Sequence, residues 1–225
     1  MPVKKKKVET KVGQKKALPA FEFGDDKIER LLSPKKKMDM QVEGLLSGLG
    51  DSFNLLVLSN KANHSIVINV LLRRFSQKSG ASVVYVAVNK PAEKIKKELL
   101  ADGLDLRDFK FIDMVSMELG AQKSAAQKDV SFISSTSGLN ELIDEIQKSF
   151  KEKKGGSQML LLDSVSTLLV YNDSGPVEKL IHALMGRLNK LNVSGVFLMA
   201  KSEEHEDIIQ TISQFCDRVV EADNF

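Results

Sequence analysis

The stretch Leu55-Leu56-Val57-Leu58-Ser59-Asn60-Lys61-Ala62-Asn63-His64-Ser65-Ile66-Val67-Ile68-Asn69 decides how this chain is read. An apolar run ends in a short polar loop, and a segment with apolar periodicity follows. An α/β protein that binds nucleotides carries G-x-x-x-x-G-K-[ST] at this junction. There the backbone must approach phosphates and adopt positive φ, which glycine does without steric cost. The loop in this chain has no glycine.

Working outward, strands and helices alternate. Asn54 to Leu58 reads as a buried strand and Ser65 to Ser76 as a helix that ends before Gly80. Ser82 to Val88 is a β-branched strand. Pro91 opens a helix over Ala92 to Ala101, which Gly103 closes, and Phe109 to Ile112 is a third strand. Met117 to Val130 is small and polar and reads as a loop, with a short strand at Phe132-Ile133 after it. Leu139 to Phe150 has helical spacing, with Leu142, Ile143, Ile146 and Phe150 inward. Gln158 to Asp163 is an apolar strand ending in a carboxylate. Pro176 opens a helix reaching Asn192, with Leu180, Ile181, Leu184, Leu188 and Leu191 on one face. Ser194 to Ala200 is a strand, Glu206 to Gln214 a helix, and Arg218 to Glu221 the last strand. Continuous apolar strands separated by helices predict an α/β fold, with a mostly parallel sheet covered on both faces.

Composition bounds the function. The chain has 225 residues, 42% of them hydrophobic, which suffices for one domain with a core and a tail. A single cysteine, Cys216, excludes an intramolecular disulfide and fits a reducing, cytoplasmic setting. No apolar run is long enough to span a bilayer. Residues 1–40 carry 12 of the 33 basic residues and 6 of the 30 acidic ones, so the remaining 185 residues are mildly acidic. The basic character therefore belongs to the N-terminus. Residues 1–19, with Lys4, Lys5, Lys6 and Lys7, read as a disordered basic arm. Residues 20–50 read as a helical or linker segment, with a short helix over Phe21 to Leu32, and residues 51–225 as the α/β domain.

Three stretches carry a family likeness. The first is Val84-Tyr85-Val86-Ala87-Val88 leading through Pro91 to Gly103-Leu104-Asp105-Leu106 and Phe111-Ile112-Asp113. The second is Met159-Leu160-Leu161-Leu162-Asp163-Ser164 with Ser166-Thr167-Leu168-Leu169 after it, and the third Phe215-Cys216-Asp217-Arg218-Val219-Val220-Glu221. With these the chain resembles the RecA-like ATPases of the KaiC type, the short archaeal ones in particular. The resemblance implies a three-layer RecA-like P-loop NTPase fold, assembly with itself or a RecA-like relative, and ATP or ADP with Mg²⁺ as the ligand of an intact site.

Against that pattern this site is degenerate. The family's two glycines fall on Ser59 and His64, its phosphate lysine on Ser65 and its Mg²⁺ hydroxyl on Ile66. A shift by one places His64 at the lysine and Ser65 at the hydroxyl, and neither register restores the motif. The glutamate that follows the second strand in such proteins is replaced by Asn89-Lys90-Pro91. Asp163 remains at the position that holds Mg²⁺ through water in the family; as a structural residue it would bond the loop after its strand or cap a turn. Ser59, Asn60, Lys61, Asn63, His64, Ser65 and Asp163 thus form a vestigial nucleotide site, with no catalytic residue, no metal site and no cofactor expected, weakly held ATP or ADP with Mg²⁺ being the alternative. The histidines His64, His182 and His205 lack metal-ligand spacing and read as surface or packing residues. The acids of Glu203-Glu204-His205-Glu206-Asp207 read as a solvated helix start. Cys216, Met159, Met185 and Met199 read as packing residues.

The expected function is a non-catalytic, pseudo-ATPase module that docks a protein partner. Two alternatives stand beside it. One is an unconventional ATP-binding protein or slow ATPase using Lys61, Ser65 and Asp163. The other is a nucleic-acid accessory whose basic arm touches RNA, DNA or an anionic surface. The last makes a direct prediction. Binding of a duplex should fall steeply with salt, with a log–log slope of about −0.9 per phosphate neutralised, and vanish when residues 1–19 are deleted. Filter binding at several salt concentrations measures this, and unchanged binding after the deletion refutes a role for the arm.

Overall fold

The computed structural model describes residues 40, 42–44, 46–60, 62–120, 128–151 and 155–222. The basic arm, the expected helix over Phe21 to Leu32, and Lys61 lie outside these. Among the described residues seven strands form one sheet: β1 (Asn54–Ser59), β2 (Ser82–Ala87), β3 (Phe109–Asp113), β4 (Val130–Phe132), β5 (Gln158–Asp163), β6 (Ser194–Ala200) and β7 (Arg218–Glu221). Their order across the sheet is β4-β3-β2-β5-β6-β1-β7, and every pairing is parallel. The helices that cover it include α1 (His64–Ser76), α2 (Ala92–Ala101), α3 (Leu139–Lys151), α4 (Val165–Tyr171), α5 (Ser174–Leu191) and α6 (Glu206–Ser213).

The apolar strands work as predicted because successive side chains feed opposite faces. Leu55, Val57, Val83, Tyr85, Met159 and Leu161 pack under α1 and α2. Leu56, Leu58, Val84, Val86, Leu160 and Leu162 pack under α3, α4, α5 and α6. The result is a three-layer α/β sandwich, the expected fold class.

Helix ends follow from local chemistry. The N–H of Ala92, just after Pro91, donates to the Asp113 carboxylate at 2.6 Å, so the end of β3 anchors the start of α2. Asn192 closes α5 in the left-handed conformation (φ 57°), and the N–H of Val193 returns to the Leu188 carbonyl at 3.0 Å. Pro176 lies in the first turn of α5, not at its opening. An N–H there has no intrahelical partner to lose.

Further details differ from the sequence reading. Strand β4 is Val130–Phe132, because the N–H of Phe111 pairs with Asp129 and draws that segment into register with β3. The short helix α4 was not expected; its apolar, β-branched residues resemble a strand, and the Ser164 side chain that accepts from the Thr167 N–H starts the turn. Leu191, expected on the core face of α5, is 49% exposed, since the helix ends there and its last turn leaves the sheet.

One glycine is fixed by packing. At Gly195 on β6, an added Cβ would lie 2.6 Å from Asn54 Oδ1, 2.8 Å from the Phe197 ring and 2.9 Å from Leu188. Gly195→Ala should therefore destabilise the protein by about 1–3 kcal/mol, the usual cost of overpacking a close-packed interior. A urea unfolding midpoint that does not fall refutes this.

Candidate functional site

The strands are parallel, so their C-terminal ends gather on one side, and the site sits there. Ser59 ends β1 and Asp163 ends β5, with β6 between them. His64, the first residue of α1, reaches across that gap. Its Nε2 lies 2.5 Å from Asp163 Oδ1, and its Nδ1 lies 3.1 Å from Ser59 Oγ. The carboxylate sets the tautomer: Nε2–H donates to Asp163, and Nδ1 accepts from the Ser59 hydroxyl.

Asp163 has further donors. The Tyr85 hydroxyl donates to Oδ2 at 2.7 Å, and the Asn89 amide donates to Oδ1 at 2.7 Å. Asn89 in turn accepts from the Thr167 hydroxyl, which ties the site to α4. Asp163 and Tyr85 are buried, at 5% and 1% exposure. A buried carboxylate is costly unless paired and hydrogen-bonded, and this one takes donors from α1, β2 and the loop after β2. Burial, and then the negative charge of Asp163, push the Tyr85 hydroxyl well above its ordinary pKa.

Ser59, His64 and Asp163 stand in the order nucleophile, base, orienter. That arrangement does not make a hydrolase. Ser59 is 1% exposed beneath the loop, so its hydroxyl cannot reach a substrate carbonyl. The three side chains act as a clasp between β1, α1 and β5.

The other predicted residues go elsewhere. Asn60 Oδ1 accepts from the Asn63 N–H at 2.9 Å and so shapes the turn before α1. The Asn63 amide donates to the Ala222 carbonyl at 2.9 Å, beyond the end of β7. Ser65 is exposed on the first turn of α1 and faces a neighbouring cleft. Lys61 and Lys4, Lys5, Lys6 and Lys7 lie outside the described residues. His64 is neither a free surface residue nor mere packing, as the lack of metal spacing suggested. Asp163 is bound by distant elements, not by the loop after its strand. Among the described residues no group of His, Cys, Asp and Glu is placed to hold a metal ion. The Cys216 thiol is pushed up to about 12 by burial, with the charge of Asp217 adding to it, so at neutral pH it is protonated and inert.

Tyr85, Asn89 and Thr167 complete the network, and spacing alone does not reveal them. The one clue is Tyr85, a hydroxyl inside a buried apolar strand, which requires a partner.

The model of a family of unknown function, DUF7504, matches residues 53–222. The chain belongs to that family. No curated protein matches it. Among solved structures, a KaiC-like protein, PH0186, of the hyperthermophilic archaeon Pyrococcus horikoshii aligns with 76% of this chain and 71% of its own, at 12% identity and a TM-score of 0.52. PH0321, an uncharacterized protein of Pyrococcus horikoshii crystallised in complex with an unknown peptide, aligns with 81% of this chain and 82% of its own, at 12% identity and a TM-score of 0.62. At that identity the likeness is one of fold: this DUF7504 member has the RecA-like P-loop fold. Among its described residues no helix is long and apolar enough to cross a membrane.

The Tyr85 contact sets a pH dependence. Its pKa is raised in the folded state, so on raising the pH the unfolded chain loses this proton first. The stability it confers is intact below the ordinary value of 10.0 and is lost as the pH rises above it. In Tyr85→Phe this alkaline loss should shrink, and neutral-pH stability should fall by about 1–3 kcal/mol because Asp163 loses a donor. Urea denaturation between pH 7 and 11 measures both; equal slopes in the two proteins refute the assignment.

Proposed function

We propose that this protein is a non-catalytic RecA/KaiC-like module, a pseudo-ATPase that works by binding a protein partner. The observation that carries this reading is the 2.5 Å contact between His64 Nε2 and Asp163 Oδ1. In RecA-like ATPases the equivalent carboxylate serves the metal through water. In this chain protein donors already hold it, and a magnesium nucleotide would have to displace the imidazole.

The remaining residues fit such a ligand poorly. Ile66 is exposed on α1 where one register calls for the metal's hydroxyl. Asn89 carries an amide where the family orients water with a carboxylate, and that amide is already committed to Asp163. Phosphoryl transfer depends on positioning and charge stabilisation. Removing one such stabilising donor typically costs about 10²–10³ in rate, so joint loss leaves little turnover.

A partner-binding role draws support from the surface. Leu119, Val170 and Tyr171 are exposed at 71%, 76% and 52%. Their segments meet at Thr136, which donates to Glu118 and accepts from the Asn172 amide. An exposed apolar set of this kind suits a protein interface. PH0321, of the same fold, was crystallised with a peptide. A second copy or a RecA-like relative is the partner class we favour.

The alternative, an unconventional ATP-binding protein, rests on Asp163 and on the positive end of the α1 dipole. Calorimetric titration with Mg²⁺ and ATP or ADP up to millimolar nucleotide decides between them. We expect no heat of binding and no shift in melting temperature. Micromolar binding that Asp163→Ala abolishes would overturn the pseudo-ATPase reading.

A further inference from the structure

Beside the clasp, a cleft of about 430 Å³ opens between α1 and α2. Its size is in the range of small-ligand sites. The apolar wall consists of Ile68 from α1 and of Ile95 and Leu99 from α2, each 3–5% exposed in total. These three make a stripe suited to a short aliphatic chain.

The polar wall has a definite sign. Glu98, Asp102 and Asp163 line the cleft, against Lys90 and His64. Lys90 is paired with Glu98 at 2.8 Å, and His64 with Asp163 at 2.5 Å. The carboxylate of Asp102 is met by an amide: Asn69 Nδ2 donates to its Oδ2 at 2.6 Å. Arg73 binds the main-chain oxygen of Asp102 at 2.6 Å and does not line the cleft. Beside Asp102, Asn69 Oδ1 is buried without a hydrogen-bond partner among the described residues. Asp102 also caps the C-terminus of α2, whose last turn has no basic residue, so the negative end of the helix dipole adds to its charge. Acceptors in excess beside an apolar stripe select a donor-rich cation and repel a phosphate.

We propose that this cleft binds an alkylammonium group, its methylene chain along Ile68, Ile95 and Leu99 and its ammonium on the Asp102 carboxylate. The same chemistry belongs to a free diamine and to a lysine side chain. The proposal does not rest on the loss of ATP turnover, since its residues lie on α1 and α2 outside the clasp.

The test follows the Ile and Leu methyl NMR signals of the full chain during titration with cadaverine, a five-carbon diamine. Glutarate, a dicarboxylate of equal length, is the control. Saturable shifts of Ile68, Ile95 and Leu99 are expected with cadaverine and none with glutarate. Glu98→Gln should leave binding within a few-fold, whereas Asp102→Lys should weaken it by about tenfold or more. The latter places a basic residue at a helix C-terminus, which favours the helix, so weaker binding there does not report unfolding. A blocked Ala-Lys-Ala peptide separates the sources: tighter binding than cadaverine assigns the cleft to a lysine side chain, weaker binding to a free diamine. No saturable shift at tens of millimolar cadaverine, an equal response to glutarate, or unchanged binding in Asp102→Lys overturns the proposal. The nucleotide titration tests the pseudo-ATPase reading separately.

Discussion

The rest of the structure turns on one buried charge. Asp163 ends a central strand with 5% exposure, so its charge depends on protein donors. Its oxygens are reached by His64 of α1, Tyr85 of β2 and Asn89 of the following loop. These donors fix where α1 starts and how far the β2 loop extends. Through Thr167 they also fix the first turn of α4. Removing one donor from a buried carboxylate typically costs about 1–3 kcal/mol, because that oxygen is left short of a partner. His64 is partly exposed, so its share falls toward the lower end of such values.

The sheet order makes this constraint possible. Chain crossovers place β6 between β1 and β5, and parallel pairing aligns the C-terminal ends of all three. A crevice at the carboxyl ends of the strands follows from topology, whatever residues line it. The fold supplies a place for chemistry without specifying which chemistry occurs there. The family likeness therefore speaks to the scaffold, and the side chains must speak for the site.

Most of the strands were legible because they are apolar runs bounded by turn residues. The strand Gln158–Asp163 and the last strand Arg218–Glu221 were read to the residue. Elements whose patterns are short or mixed were harder. Helix α4 has seven residues, and β4 has three that only pairing with β3 defines. The absence of glycine from the loop was plain in the sequence. The partner of His64 was not, because it stands 99 residues away and periodicity reports faces, not contacts. Ser59, His64 and Asp163 were each singled out as parts of a nucleotide site; their mutual bonding required the fold.

The clasp and the cleft bear on each other through charge. A site that receives triphosphate presents free N–H groups, a lysine and a metal, all attracting negative charge. At the same end of this sheet the imidazole is turned inward onto Asp163, and Lys90 is engaged by Glu98. The side chains that remain toward solvent between α1 and α2 are mostly acceptors. Restoring glycine and lysine to the loop would, on the proposed reading, still leave the Asp102 carboxylate in the neighbouring cleft. On the proposed reading, the loop's lost glycines and the acidic wall of α2 are two parts of one change in which ion this end of the fold favours.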